Sequence, residues 1–186
     1  LRFGGHAAAV GMPRNFTIAD RGDAEDLLGE VMEESLEDKE KRFPKPGVVL
    51  DMISMAANTR EPIERVVEKR YPMHFDLVNH LQAIQGSYAA RKKDLGIADF
   101  DDLLTLWLQA MDENEEVRDE FRRRFAYVLV DEYQDTNVLQ AKIVDHLAAA
   151  HRNLMVVGDD AQSIYSFRGA NFANIMKFPE RYPDAK

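Results

Sequence analysis

Apolar residues in the first half of the chain recur at the spacing of amphipathic helices. Ala24, Leu27, Leu28, Val31 and Met32 form one stripe, and Val49, Met52, Ile53 and Ala56 form a second. Ile63, Val66 and Val67 mark a short third, before Leu77, Val78, Leu81, Ile84 and Tyr88 mark a longer fourth. The breaks fall where helices stop or start: Gly11-Met12-Pro13, Pro44-Lys45-Pro46-Gly47, Pro62 and Pro72. Asp23 is the predicted cap of the first stripe. Residues 1–98 therefore read as nearly all helical, with the stripes as core.

From Asp99 the pattern changes. Asp99 is placed to cap a helix carrying Leu103, Leu104, Trp107 and Met111, and Val117 with Phe121 mark the next. Trp107 falls inside the apolar stripe and reads as a core residue. Then the period is lost: Tyr127-Val128-Leu129-Val130 is a continuous run of β-formers, predicted to be a strand buried on both faces, and it ends on Asp131 and Glu132. Gln140, Ile143, Val144 and Leu147 describe a crossover helix leading to a second strand, Leu154-Met155-Val156-Val157. A right-handed crossover makes the two strands parallel and puts both tips on one edge. The expected class is α/β overall, with a helical part over 1–98 and a parallel-sheet part over 99–186.

Ligands of open α/β sheets collect beyond the carboxyl ends of the strands, where Asp131 and Glu132 lie. One such acid can hold a magnesium ion while its neighbour orients an attacking water. The same residues also read as the start of a solvated turn.

Composition narrows the reading. The 186 residues are 45% apolar and 31% charged, an ordinary globular balance, with a formal net charge of −9. That charge argues against a basic coat for nucleic acid, so any contact with DNA is local. Basic clusters at Lys39 to Lys45, Arg91-Lys92-Lys93 and Arg122-Arg123-Arg124 are interleaved with acids and read first as solvated helix faces. No cysteine is present, which removes disulfides and thiolate metal sites from these residues. The five histidines show no metal-ligand spacing. No apolar stretch approaches the roughly 20 residues of a membrane span, and the start reads as neither a basic leader nor a cleavable apolar segment.

Three motifs carry a resemblance: DFDDLL at 99–104, DEYQDTN at 131–137 and GDDAQSIYSFRGA at 158–170. Together, in this order, they resemble superfamily 1 DNA helicases of the UvrD/Rep/PcrA group. DEYQDTN is similar to that family's second motif, its Walker B element, and the later run to its third. The opening RNFTIADRGDAEDLL also looks like the segment that follows the family's early motifs. The phosphate-binding pattern G-x-x-x-x-G-K-[ST] occurs nowhere in the 186 residues. The expectation is an internal piece of a longer helicase that does not hydrolyse ATP alone.

The resemblance implies an ATP-dependent, cytoplasmic enzyme translocating three-prime to five-prime on single-stranded DNA. It makes 1–98 a helical insertion that contacts duplex at the junction, and 99–186 part of a RecA-like P-loop motor domain. Asp131 would help hold Mg2+ with the ATP, Glu132 would activate water, and Gln162 would sense the terminal phosphate. Tyr165 and Phe167 would stack single-stranded bases, and Arg168 would tie the nucleotide site to the DNA channel; in isolation the two aromatics read as core and Arg168 as a salt bridge. Arg60, Arg65, Lys69 and Arg70, with Arg91 to Lys93, are the expected duplex-phosphate contacts. The chain departs from the family at Ala161, where many members carry an acid, and at Phe167, where tryptophan is frequent. Alternatives are a helicase-nuclease subunit or a non-catalytic interaction module that keeps the motor fold. No membrane contact is expected, and an incomplete sheet would leave an apolar edge open to strand exchange or dimerisation.

Overall fold

The computed structural model describes residues 6–35, 43–159 and 173–186, which fall into two compact units dividing at Thr105/Leu106. In the first unit β1 (Thr17–Ile18) runs into α1 (Arg21–Ser35), followed by α2 (Pro46–Thr59), α3 (Ile63–Arg70) and α4 (Val78–Leu95). Strand β2 (Ile97–Ala98) then pairs parallel with β1, Thr17 opposite Ile97, and leads into α5 (Phe100–Glu113), whose first turns belong to this unit.

Helices α1 to α4 pack on a common core that includes Leu28, Val49, Met52, Val67, Leu81, Ile84 and Tyr88. These are the stripes expected from spacing; Leu27, Ile53 and Leu77 lie at its margin, partly buried. Full burial of such side chains stabilises by about 1.5–3 kcal/mol each, so the stripes carry the unit.

The two strand-to-helix junctions are built alike. Asp20 Oδ1 accepts from the Asp23 amide at 3.0 Å while Asp23 Oδ2 accepts from the Asp20 amide at 3.4 Å. Asp99 Oδ1 accepts from the Asp102 amide at 2.9 Å and Asp102 Oδ2 from the Asp99 amide at 3.0 Å. Each pair is a reciprocal cap of the capping-box kind. The cap of α1 is thus Asp20, three residues before the Asp23 expected, because Asp23 takes the answering position inside the first turn. Asp99 caps α5 as expected.

Lys92 departs from expectation. It is buried on α4, with its ammonium 2.5 Å from both Asp99 Oδ2 and Asp102 Oδ2 and 4.4 Å from the centre of the Tyr88 ring. A lysine satisfied in this way offers no charge to a DNA phosphate. Arg91 and Lys69 are exposed or half-exposed but ion-paired, with Glu34 and Glu61 respectively. Arg60, Arg65 and Arg70 are exposed.

In the second unit Asn114 caps α6 (Glu115–Arg124), its side chain accepting from the Val117 amide. Phe121 lies between the rings of Trp107, at 5.5 Å, and Phe125, at 6.3 Å. Strands β3 (Val128–Val130) and β4 (Leu154–Val156) pair parallel in the register Val128 to Leu154, Leu129 to Met155 and Val130 to Val156. The connecting helix α7 (Val138–Ala148) begins with a complete capping box, Asn137 with Gln140, and buries Leu139, Ile143, Val144 and Leu147. Short helices α8 (Ala173–Met176) and α9 (Phe178–Arg181) end the unit.

The parallel pairing and crossover helix agree with expectation, but burial of β3 on both faces does not. Val128 and Val130 are half-buried, whereas Leu129 is 72% exposed and its cross-strand partner Met155 is 56% exposed. Alternation along each strand turns these two outward, and Tyr127 and Val157, in step with them, are exposed as well. Among the described residues no helix is long and apolar enough to cross a membrane.

Candidate functional site at the paired strand ends

The ends of β3 and β4 meet as their parallel register requires. The Val157 amide donates to Val130 O at 2.8 Å, and the Tyr133 amide reaches back to Val157 O at 2.9 Å. The segment DEYQDTN therefore turns sharply over the end of β4, and its residues sort by position. Asp131 and Glu132 are exposed at the tip; Tyr133, Gln134, Thr136 and Asn137 are buried beneath it.

The turn hinges on Glu132, whose φ of 51° and ψ of 45° put a residue with a side chain in the left-handed region. Such a conformation costs roughly 1–2 kcal/mol and persists only where neighbours hold it. Three hydrogen bonds do so. The Glu132 amide donates to Asp131 Oδ1 at 2.9 Å, Glu132 O accepts from the Asp135 amide at 2.9 Å, and Glu132 Oε2 accepts from Gln134 Nε2 at 2.6 Å. Gln134, 1% exposed, also accepts at Oε1 from the Asp159 amide at 3.0 Å.

Gly158 makes room for this contact. A Cβ there would stand 2.5 Å from Gln134 Oε1 and 2.8 Å from Ile175 Cδ1, inside van der Waals distance of both. Any side chain at 158 would displace the buried amide.

A second layer fixes the motif from below. Arg181 donates to the Tyr133 hydroxyl at 2.7 Å and to Asp145 Oδ2 at 2.8 Å, and Tyr182 donates to Asp145 Oδ1 at 2.8 Å. Asn174 donates to Thr136 O at 2.9 Å, and the Thr136 hydroxyl donates to Tyr133 O at 2.6 Å. Phe178 meets the Tyr133 ring edge-on at 5.6 Å. Burial pushes the Tyr133 hydroxyl above its ordinary value of 10.0 despite the Arg181 charge, and burial with the Asp145 hydrogen bond pushes Tyr182 up strongly. Both phenols stay neutral donors or acceptors across the working pH range. Asp135 Oδ1 is buried and has no partner among the described residues.

Of the expected site residues, Asp131 and Glu132 stand side by side at the tip, as exposed oxygen donors. Gln162, Tyr165, Phe167 and Arg168 lie outside the described residues. Gln134 and Arg181 were not expected. The signal for Gln134 is a polar residue in a motif whose turn must be closed from inside; Arg181 carries no local signal, since its side-chain partners Asp145 and Tyr133 are 36 and 48 residues away. An exposed carboxylate at a strand tip suits a hard cation such as Mg2+, which binds through one or two carboxylates together with phosphate oxygens. Asp131 has that chemistry.

The chain is similar to known proteins along nearly its whole length. The family described as UvrD/REP helicase N-terminal domain matches residues 4–183. The chain is 36% identical over 180 residues to the ATP-dependent DNA helicase PcrA of Staphylococcus epidermidis, covering 97% of this chain and 24% of that protein. It is 38% identical over 180 residues to PcrA of Bacillus subtilis, covering 95% of this chain and 23% of that protein. With PcrA of Leuconostoc citreum the identity is 36% over 179 residues, covering 95% and 23%. The chain thus spans about a quarter of the length of these relatives.

Proposed function

The chain belongs to the UvrD/REP helicase N-terminal domain family, and from that premise we propose that it serves as part of an ATP-dependent DNA helicase that translocates three-prime to five-prime on single strands. The observation that carries the reading is the pair Asp131 and Glu132, exposed at the end of a parallel strand and held there by a buried hydrogen-bonded turn. Residues 99–186 form part of a RecA-like motor domain, and residues 1–98, with the helical core of α1 to α4, are the insertion that meets duplex DNA. Arg60, Arg65 and Arg70 are its exposed candidates for phosphate contact.

In this reading ATP with Mg2+ supplies the cleavable phosphoanhydride and the charge that neutralises it. Asp131 holds the ion, and Glu132 orients the attacking water and accepts its proton. Gln162 reads the terminal phosphate, Arg168 links that site to DNA, and Tyr165 and Phe167 stack on single-stranded bases. The 186 residues alone do not hydrolyse ATP, because they contain no phosphate-binding loop lysine to clamp the transferring group. The outward apolar face of β3 and β4 supports self-association of the isolated segment.

The test is Glu132→Gln in the helicase that carries this segment. DNA-stimulated ATP hydrolysis falls by about 100-fold or more while ATP binding is retained. Turnover at the parent rate would remove Glu132 from the chemistry.

A further inference from the structure

Resting on the assignment of Glu132 to the attacking water, we propose that Gln134 is the positioning residue for that carboxylate and ties its orientation to the backbone leaving β4. Both ends of one buried amide are committed. Nε2 donates to Glu132 Oε2 at 2.6 Å and Oε1 accepts from the Asp159 amide at 3.0 Å. The amide cannot be turned over without loss: reversed, it would set an oxygen against a carboxylate and an NH2 group against a backbone N–H. Its orientation is therefore fixed by its partners.

Three further features point the same way. Gln134 is 1% exposed, so its two hydrogen bonds are sheltered from competing water. The backbone at Glu132 is left-handed, and among the described residues Gln134 is the side chain that hydrogen-bonds its carboxylate. Gly158, flanking Asp159, is a position where a Cβ would strike Gln134 Oε1 at 2.5 Å. Space has been left for the amide to bridge the two strand ends. Gln134 touches neither substrate nor metal in this account. It holds one oxygen of Glu132 and leaves the other to face the water.

The experiment uses the full helicase and two variants that separate the contacts. Gln134→Met keeps the volume and loses both hydrogen bonds. Gln134→Glu keeps an acceptor for the Asp159 amide, loses the donor and sets a second carboxylate against Glu132. Both lower kcat for DNA-stimulated ATP hydrolysis by about 10- to 100-fold, with KM for ATP within about twofold of the parent. The Glu variant loses at least as much as the Met variant although it keeps the Asp159 contact, and both losses persist when kcat is scaled to the folded fraction read from thermal melts. A merely structural Gln134 would lower Tm in both variants and leave kcat per folded molecule at the parent's value. Parent kcat in the Glu variant, or a loss confined to KM, overturns the proposal, and the Glu variant decides alone if the Met variant does not fold. Glu132→Gln run in parallel separates the two ideas. If it abolishes turnover while both Gln134 variants match the parent, the positioning role fails and the assignment of Glu132 stands; if it too matches the parent, the underlying assignment fails.

Discussion

Lys92 and Asp99 form a buried ion pair at 2.5 Å that joins the last turn of α4 to the cap of α5. The same ammonium lies 2.5 Å from Asp102, and the Tyr88 hydroxyl donates to Asp99 at 3.1 Å. One lysine thus faces two carboxylates on the first turn of the next helix. Removing it leaves buried Asp99 and half-buried Asp102 without a counter-charge, and breaking a buried pair in this way costs about 3–5 kcal/mol. Lys92→Met is expected to lower the stability of the first unit by that amount, measured by urea denaturation. A loss under about 1 kcal/mol would show that the cluster is hydrated and weak.

The two acids respond to pH in opposite senses. Burial pushes Asp99 up, but the charge and hydrogen bond of Lys92 overcome it and hold Asp99 below its ordinary 3.8; burial and then the Asp99 charge raise Asp102 above that value. The depressed Asp99 contributes stability that is present above 3.8 and lost as pH falls through its folded value. The raised Asp102 contributes stability that is present below 3.8 and lost as pH rises through its folded value. Asp102→Asn removes the second contribution and the excess negative charge, while its amide oxygen can still accept from the Asp99 amide and Lys92. The variant is expected to melt above the parent at pH 7. Its advantage shrinks as pH falls through the raised folded value of Asp102 towards 3.8, because the parent gains there by protonating Asp102. A lower Tm than the parent at pH 7 contradicts this account.

Much of this architecture is legible in the sequence, and the exceptions share a cause. The stripes of α1 to α4 are written at helical spacing because each helix buries one face, so Leu28, Leu81 and Ile84 are found from neighbours three and four places away. The parallel pairing of β3 with β4 follows from an apolar run, a crossover helix and a second run. The place of Asp131 and Glu132 at a strand end, exposed at its tip, is legible in the same way. What was not legible depends on partners remote in sequence or on symmetry within a motif. Asp20 and Asp23 answer each other, so a pattern of two acids three apart does not say which one is the cap. Lys92 continues the stripe of Leu81, Ile84 and Tyr88 four places on, but a charged residue there reads as solvated until its partners, the carboxylates beyond the turn at Gly96, are known. Gln134 takes its meaning from Asp159, 25 residues further along. Exposure of Leu129 depends on what packs against the outer face of its sheet, which the strand's own residues do not encode.

That outer face supports the final prediction. Leu129 and Met155 are direct cross-strand neighbours, exposed by 72% and 56%, with Tyr127 and Val157 extending the patch along both strands. Parallel sheets are normally covered on both faces, so apolar residues here remain in water only at a cost that association relieves. The isolated 186-residue chain is expected to self-associate with rising concentration, measured by sedimentation velocity. Leu129→Lys combined with Met155→Lys, two substitutions at outward positions, should suppress the association while changing folding stability by no more than about 0.5 kcal/mol each. The charged pair repels a second copy but touches nothing inside the unit. A parent chain that stays monomeric at high concentration would sink the prediction, and so would a double variant that associates as the parent does. Should the double variant instead lose several kcal/mol of stability, the residues face inward and the exposure of this sheet face is wrong.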